Sequence, residues 1–185
     1  QAATIAPHIG KGGDKLVPSL AEVSPEVSER LRAEAPRQFE RLARERGIAV
    51  LPGARALLEE LEARGCAIAV ATSGKRTDFE NVMKTSGLPI ADLVDHVVTG
   101  DEASASKPDP ALVERAIEKL GRDAGACTMV GDTPYDGEAA RRAGATFVAI
   151  ATGVHDRAAL ERDGGATFVF GSPEDLRAHL DALMR

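Results

Sequence analysis

Val130-Gly131-Asp132-Thr133-Pro134-Tyr135-Asp136 sets two carboxylates four positions apart at a point where an apolar strand turns into a helix. The preceding run Cys127-Thr128-Met129-Val130 is apolar and ends at a glycine, Pro134 suits the first turn of a helix, and Glu138-Ala139-Ala140-Arg141-Arg142-Ala143 continues it. Asp132 therefore leaves the carboxyl end of a strand, and Asp136 returns one helical turn later. Hard divalent cations such as Mg²⁺ take carboxylate and water oxygens, and open parallel sheets bind ligands at the carboxyl ends of their strands. The pair reads as a Mg²⁺ site beside a phosphate. It also reads as a helix cap at Asp132 followed by a solvated first-turn acid at Asp136, since Asp is favoured at both places.

On either side of this turn the pattern is one of alternating helices and strands. After Leu51-Pro52-Gly53 comes a helix over residues 54–64, with Leu57, Leu58 and Leu61 on one face, then the apolar strand 66–71. A helix over 77–86 precedes a short strand at 96–99, and a helix over 108–120 precedes the strand at Met129. Strands at 146–150 and 167–170 follow, and Ser172-Pro173 opens a final helix. Strands separated by helices of this length require crossover connections, so the expected fold is α/β, a doubly wound, Rossmann-like parallel sheet covered on both faces. Residues 1–50 differ. They begin with a loop over Ala2 to Pro18, centred on His8 to Val17, and continue as a charged helical stretch with Ser24 as N-cap and Pro25 at the first helical position. Pro36 implies either two short helices or one kinked helix. With few apolar residues, apart from Leu31, Phe39 and Leu42, this segment suits a small helical lobe over a core formed by residues 51–185.

Composition narrows the function. The net charge is −6, aromatics make up 3% of residues and no Lys/Arg-rich block exists, so nucleic acid is not an expected partner and a small soluble molecule is. The sequence holds no apolar run of the ~20 residues a bilayer span requires and no basic-then-apolar leader, so a cytosolic protein without a membrane partner is expected. Cys66 and Cys127 each open an expected buried strand and have no CxxC or His/Cys spacing, which makes them structural. His8, His96, His155 and His179 likewise show no ligand spacing, and surface or packing roles are expected for them.

Two further strand ends carry unusual polar residues. The strand at 66–71 runs into Thr72-Ser73-Gly74-Lys75, where a hydroxyl, backbone amides beside small residues and a helix start can cradle an anion. Thr72 is the candidate phosphate ligand, with Ser73 and Gly74 beside it; ordinary capping also accounts for Thr and Ser there. Lys107, in Ser106-Lys107-Pro108-Asp109-Pro110, precedes a proline that fixes the local backbone, and a lysine so placed is a point charge for a phosphoryl oxygen or a carboxylate, although most loop lysines are simply solvated.

Thr72 after an apolar strand, Lys107 in SKPDP, and Asp132 and Asp136 in VGDTPYD resemble the second, third and fourth motifs of the haloacid dehalogenase superfamily, in their usual order. The LPGARALLEEL segment fits the same group, in its branch similar to phosphoglycolate phosphatases and phosphoglucomutases. Residues 51–185 correspond to the core, and residues 1–50 to part of a helical cap. The resemblance implies a Mg²⁺-dependent phosphatase acting on a small phosphorylated metabolite through an aspartyl-phosphate intermediate. Thr72 and Lys107 would serve the transferring phosphoryl group, Asp132 would bind Mg²⁺, and Asp136 would do so directly or through water. Lys11 and Lys15 in the cap loop would contact the substrate's leaving group, or be solvated lysines of a glycine-rich hinge.

The attacking aspartate of that family lies in a DxDGT motif on a central strand, and no DxD followed by Gly and Thr occurs in this sequence. The expectation is a parent enzyme whose nucleophile precedes Gln1, with this chain alone inactive. Without the central strand, buried edges would be left unpaired and self-association along them is expected. A phosphoglucomutase would share these residues, and a phosphonate-cleaving relative would make Lys11 or Lys15 a Schiff-base lysine. A non-catalytic binding module is the reading from a different class. A dehalogenase needs no metal, so the paired acids argue against it. A receiver domain places its acids before Thr and Lys, the reverse of the order here.

Overall fold

A computed structural model describes residues 5–20 and 24–184; the first residues of the expected loop, 2–4, lie outside the described residues. All ladders between strands are parallel, as the alternating pattern requires. The amino-terminal region is helical: a 3₁₀ turn at Ala6–His8, then α1 (Gly13–Leu20) and α2 (Pro25–Arg46). α2 starts where its sequence says, with Ser24 Oγ accepting the Val27 N–H at 3.3 Å and Pro25 at the first position. It is one helix of 22 residues with Pro36 inside it. The loop expected up to Pro18 is corrected, since α1 occupies its second half and includes Pro18. Gly13 and Pro18 both weaken a helix locally. Tertiary contacts compensate: Ser106 Oγ donates to Asp14, and Lys15 donates to the Ser106 carbonyl.

The remainder alternates: α3 (Ala54–Ala63), β1 (Ala69–Ala71), α4 (Arg76–Ser86), β2 (His96–Val98), α5 (Ala111–Leu120), β3 (Thr128–Gly131), α6 (Pro134–Arg142), β4 (Thr146–Ile150), α7 (Arg157–Arg162), β5 (Phe168–Phe170), α8 (Pro173–Ala178) and α9 (Leu180–Leu183). β1 is shorter than expected. It is trimmed to its three-residue register with β2, Ala69 opposite His96 through Ala71 opposite Val98. Cys66 consequently lies ahead of the strand, and both cysteines are half-buried rather than core residues. α7 was not foreseen, although Asp156 caps it by accepting the Ala159 N–H at 2.8 Å. The expected final helix is divided at His179.

Among the described residues the strands form two sheets, β1–β2 and β3–β4–β5, so β1 and β3 each keep one unpaired edge. α5 packs on β1 and β2, α6 packs on β3 and β4, and the two helices touch. β4 is covered on both faces. Val148 and Ile150 join Leu57, Phe170, Leu176 and Leu180 on one side, while Phe147 and Ala149 join Ala140, Leu160 and Val169 on the other. A third cluster, Val98, Leu112 and Ala116, holds α5 to β1 and β2. On β3, by contrast, Val130 is 44% exposed, which is unusual for an apolar residue within a parallel sheet. Residues 5–20 supply a 3₁₀ turn, an isolated Ile9–Lys11 bridge and α1, and no strand against either open edge. Among the described residues no helix is long and apolar enough to cross a membrane.

Candidate functional site

The turn from β3 into α6 is built around Asp136. Thr133 is the N-cap: its hydroxyl accepts the Asp136 N–H at 3.3 Å, and Asp136 Oδ2 accepts the Thr133 N–H at 3.1 Å and its O–H at 2.8 Å. This reciprocal box satisfies helix donors that would otherwise lack partners. Asp136 Oδ1 accepts from Lys107 Nζ at 2.7 Å, with the acid side chain 4% and the lysine 16% exposed. Gly131 makes the packing possible, because a Cβ there would lie 2.6 Å from that of Asp136. The Lys107–Pro108 peptide bond is cis, and α5 begins at Ala111 rather than at Pro108.

Asp132 lies beside this pair. Burial, then the like charge of Asp136, push its carboxyl above the usual range, while Lys107, its own backbone amide and His155 pull in the other direction. Gly153 covers its far side, since a Cβ there would sit 2.4 Å from Asp132 Oδ2. The structure thus brings Lys107, Asp132 and Asp136 together. Both Asp136 oxygens are engaged, by Lys107 and by Thr133, whereas Asp132 holds a carboxylate whose charge is under-compensated. A hard cation relieves such a charge and completes its shell with water and phosphate oxygens. The residues present therefore fit a hard cation such as Mg²⁺ at Asp132. Among the described residues no group of three or more His, Cys, Asp or Glu side chains forms a ready-made cage.

Thr72 belongs to the other sheet. Its N–H donates to the Val98 carbonyl at 3.0 Å, extending the β1–β2 ladder, and its hydroxyl accepts the Gly74 N–H at 3.2 Å. Gly100 closes on this loop: its N–H donates to the Gly74 carbonyl at 2.8 Å, and a Cβ would meet the Ser73 carbonyl oxygen at 2.5 Å. Asp101 Oδ2 accepts the Arg76 N–H at 2.7 Å, and Glu102 joins Arg76 to Lys119. The Lys119 ammonium, more than Arg76, holds the Glu102 carboxyl down to about 2. Ser73 Oγ is buried without a hydrogen-bond partner. No described hydrogen bond or ion pair links Thr72, Ser73 or Gly74 to the Lys107 and Asp136 pair.

The two lysines of the amino-terminal segment part company. Lys15 donates to the Ser106 carbonyl, one residue from Lys107. Lys11 donates to His8 Nδ1 at 3.1 Å and to Ser19 Oγ at 2.9 Å, and its ammonium lies 5.4 Å from the centre of the Tyr135 ring. Sequence reasoning passed over Thr133 and Tyr135, which stand between the two acids; the Thr-x-x-Asp spacing was the available signal for the first. His155 has a packing role, edge-on to Tyr135 with ring centres 6.3 Å apart. A concavity of about 380 Å³ lies elsewhere, between α2 and α4, lined by Pro36, Phe39, Ala43, Asp78 and Val82 among others. Its Arg44 is already paired with Glu40 within α2.

The profile of the haloacid dehalogenase-like hydrolase family matches residues 3–150. A phosphoglycolate phosphatase of Rhodospirillum rubrum is 38% identical over 107 residues, 58% of this chain and 44% of that protein. A phosphoglycolate phosphatase of Vibrio cholerae is 30% identical over 149 residues, 77% of this chain and 65% of that protein. The chain thus spans roughly half to two thirds of the length of these relatives. Among solved structures, a hydrolase from Pseudomonas syringae superposes with a TM-score of 0.89 at 36% identity, covering 99% of this chain and 83% of that one. CbbY from Rhodobacter sphaeroides, in complex with phosphate, superposes with a TM-score of 0.71 at 22% identity, covering 90% and 75%, and shares the fold. The ordered motifs, the parallel sheets and these likenesses agree, and the chain belongs to the haloacid dehalogenase-like hydrolases, in the phosphoglycolate phosphatase-like branch.

Proposed function

We propose that this chain is the phosphate- and Mg²⁺-binding part of a phosphatase for a small phosphorylated metabolite, with residues 1–50 as a partial helical cap on a core of residues 51–185. The observation that carries it is the half-buried Lys107 joined at 2.7 Å to the buried Asp136, with the under-compensated Asp132 beside them. Such a corner presents a cation and a cation-seeking carboxylate to the same anion. Thr72, Ser73 and Gly74 supply a hydroxyl and small-residue backbone at the end of β1, suited to the remaining phosphoryl oxygens. When bound at Asp132, Mg²⁺ offsets charge on the phosphoryl oxygens.

In this reading Lys107 stabilises the negative charge of the phosphoryl group in transit, and Asp136 holds the ammonium in place while Thr133 holds Asp136. Thr72 orients the phosphoryl group for in-line displacement, where positioning and electrostatics carry most of the rate. The transfer passes through an aspartyl phosphate whose carboxylate has no counterpart in a DxDGT motif of these residues. Lys11 and Lys15, neither with a carboxylate among its described partners, bring positive charge from the cap side towards an anionic substrate.

Calorimetry with inorganic phosphate and with 2-phosphoglycolate, with and without Mg²⁺, tests the proposal, run beside a phosphatase assay. Anion binding that strengthens with Mg²⁺ and is lost in Lys107→Ala supports it. Binding indifferent to Mg²⁺ and to Asp132→Asn defeats it. Binding without turnover is the outcome expected of these residues under both the phosphatase reading and the non-catalytic one, since neither gives them a DxDGT aspartate.

A further inference from the structure

Tyr135 and His155 play no part in the chemistry above, yet both reach the same short amino-terminal segment. Tyr135 donates its O–H to the Pro7 carbonyl at 2.7 Å. His155 Nε2 contacts the Ile9 carbonyl at 3.1 Å, and because a carbonyl only accepts, the ring carries its proton on Nε2. The two rings brace each other edge to face, and Lys11 rests on the Tyr135 face. On either side of Lys11 the backbone is flush with the site. A Cβ at Gly10 would lie 2.5 Å from Thr133 Cγ2, and one at Gly12 2.2 Å from Ser106 Oγ. Thr133 holds Asp136, and Ser106 precedes Lys107. The segment from Pro7 to Gly12 is therefore a strap laid over both halves of the Lys107–Asp136 corner, and the aromatic and imidazole donors grip its backbone from the β3–α6 turn and the loop after β4.

We propose that Tyr135 and His155 are positioning residues that latch this strap, and that the latch fixes Lys11 for contact with a phosphomonoester. The second half rests on the functional reading given above; the first rests on geometry alone. Two carbonyl contacts two residues apart leave the intervening peptide no freedom to lift, and the flush glycines mean that a lifted strap would uncover Thr133. Lys11 would then lose its seat on Tyr135, and binding of a phosphomonoester would weaken towards that of bare phosphate.

Trypsin digestion of the native 185-residue protein, followed by mass spectrometry, reads the latch directly, because an unlatched strap exposes the bond after Lys11. Tyr135→Phe keeps the ring but removes one hydrogen bond, so cleavage after Lys11 should accelerate about fivefold. His155→Ala should do the same, and His155→Gln, which retains an N–H donor, should restore most of the protection. Cleavage after Lys84 in α4 should be unchanged in all three. Unaltered cleavage after Lys11, or equal acceleration after Lys84, overturns the latch. Calorimetry supplies the second arm: Tyr135→Phe should weaken 2-phosphoglycolate about fivefold while leaving inorganic phosphate within about twofold. Faster cleavage with no loss of 2-phosphoglycolate binding overturns the role assigned to Lys11. Failure of the unaltered protein to bind either anion counts against the functional reading and leaves the trypsin result to decide the latch.

Discussion

The two sheets hold their polar residues in different ways. In β3–β4–β5 the middle strand is flanked on both sides and sealed on both faces, with Ala149 0% and Val148 3% exposed. The acids that leave β3 are fixed by a reciprocal cap, a buried ion pair and two glycine contacts. Among the described residues no strand of β1–β2 has two neighbours, all three residues of β1 are half-buried, and the buried Ser73 hydroxyl in the loop that follows has no hydrogen-bond partner. A side chain is only as well placed as the strand that delivers it. The acids of the β3–α6 turn are held by the cap, the ion pair and the close glycines, while the Thr72 loop depends on the Gly100–Glu102 turn and its charges.

Core truncations test that contrast most strongly. Leu160 is fully buried between α7 and the larger sheet, and Leu160→Ala should cost about 4 kcal/mol in urea unfolding. Val98→Ala, in the smaller sheet, should cost about 2 kcal/mol. Equal losses would erase the difference. Lys107→Ala should fall between these, at about 3 kcal/mol, since it leaves the 4% exposed Asp136 carboxylate without its partner. Adding Asp136→Asn should recover part of that loss, and a double-mutant cycle measures the coupling.

Thr133→Ala should cost about 1 kcal/mol by removing the helix cap, and should loosen Asp136 as seen in its exchange with solvent-coupled probes such as carboxyl NMR shifts. The smallest effect concerns Asp132. Its carboxyl titrates above the ordinary value of 3.8, so ionisation opposes folding: the favourable contribution is present below that value and is lost as pH rises through the raised one. Asp132→Asn should therefore raise the melting temperature at about pH 7 more than at about pH 4. Mg²⁺ should stabilise the unaltered protein at the higher pH and leave the variant unmoved; stabilisation of both would place the cation elsewhere.

Much of this was legible from local pattern. Ser24-Pro25 and Thr133-Pro134 mark helix starts because capping is a matter of neighbouring residues, and the apolar run before Asp132 marks a strand for the same reason. α1 was not legible, because Gly13 and Pro18 argue against a helix and its stabilising partner, Ser106, is far along the chain. The length of β1 was equally hidden, since pairing with β2 trims it. His155 looked like an ordinary surface histidine because the Ile9 carbonyl it meets is 146 positions away.

By itself the sequence determined the alternation of helices and parallel strands and marked Thr72, Lys107, Asp132 and Asp136 as candidates, since periodicity, capping and charge are encoded over a few residues. Tertiary structure alone decided that Lys107 closes on Asp136 rather than on solvent, that Asp132 is the carboxylate left under-compensated, and that a strap from the first residues lies across the turn. Those outcomes depend on burial and on distances between segments remote in sequence, which no local pattern contains.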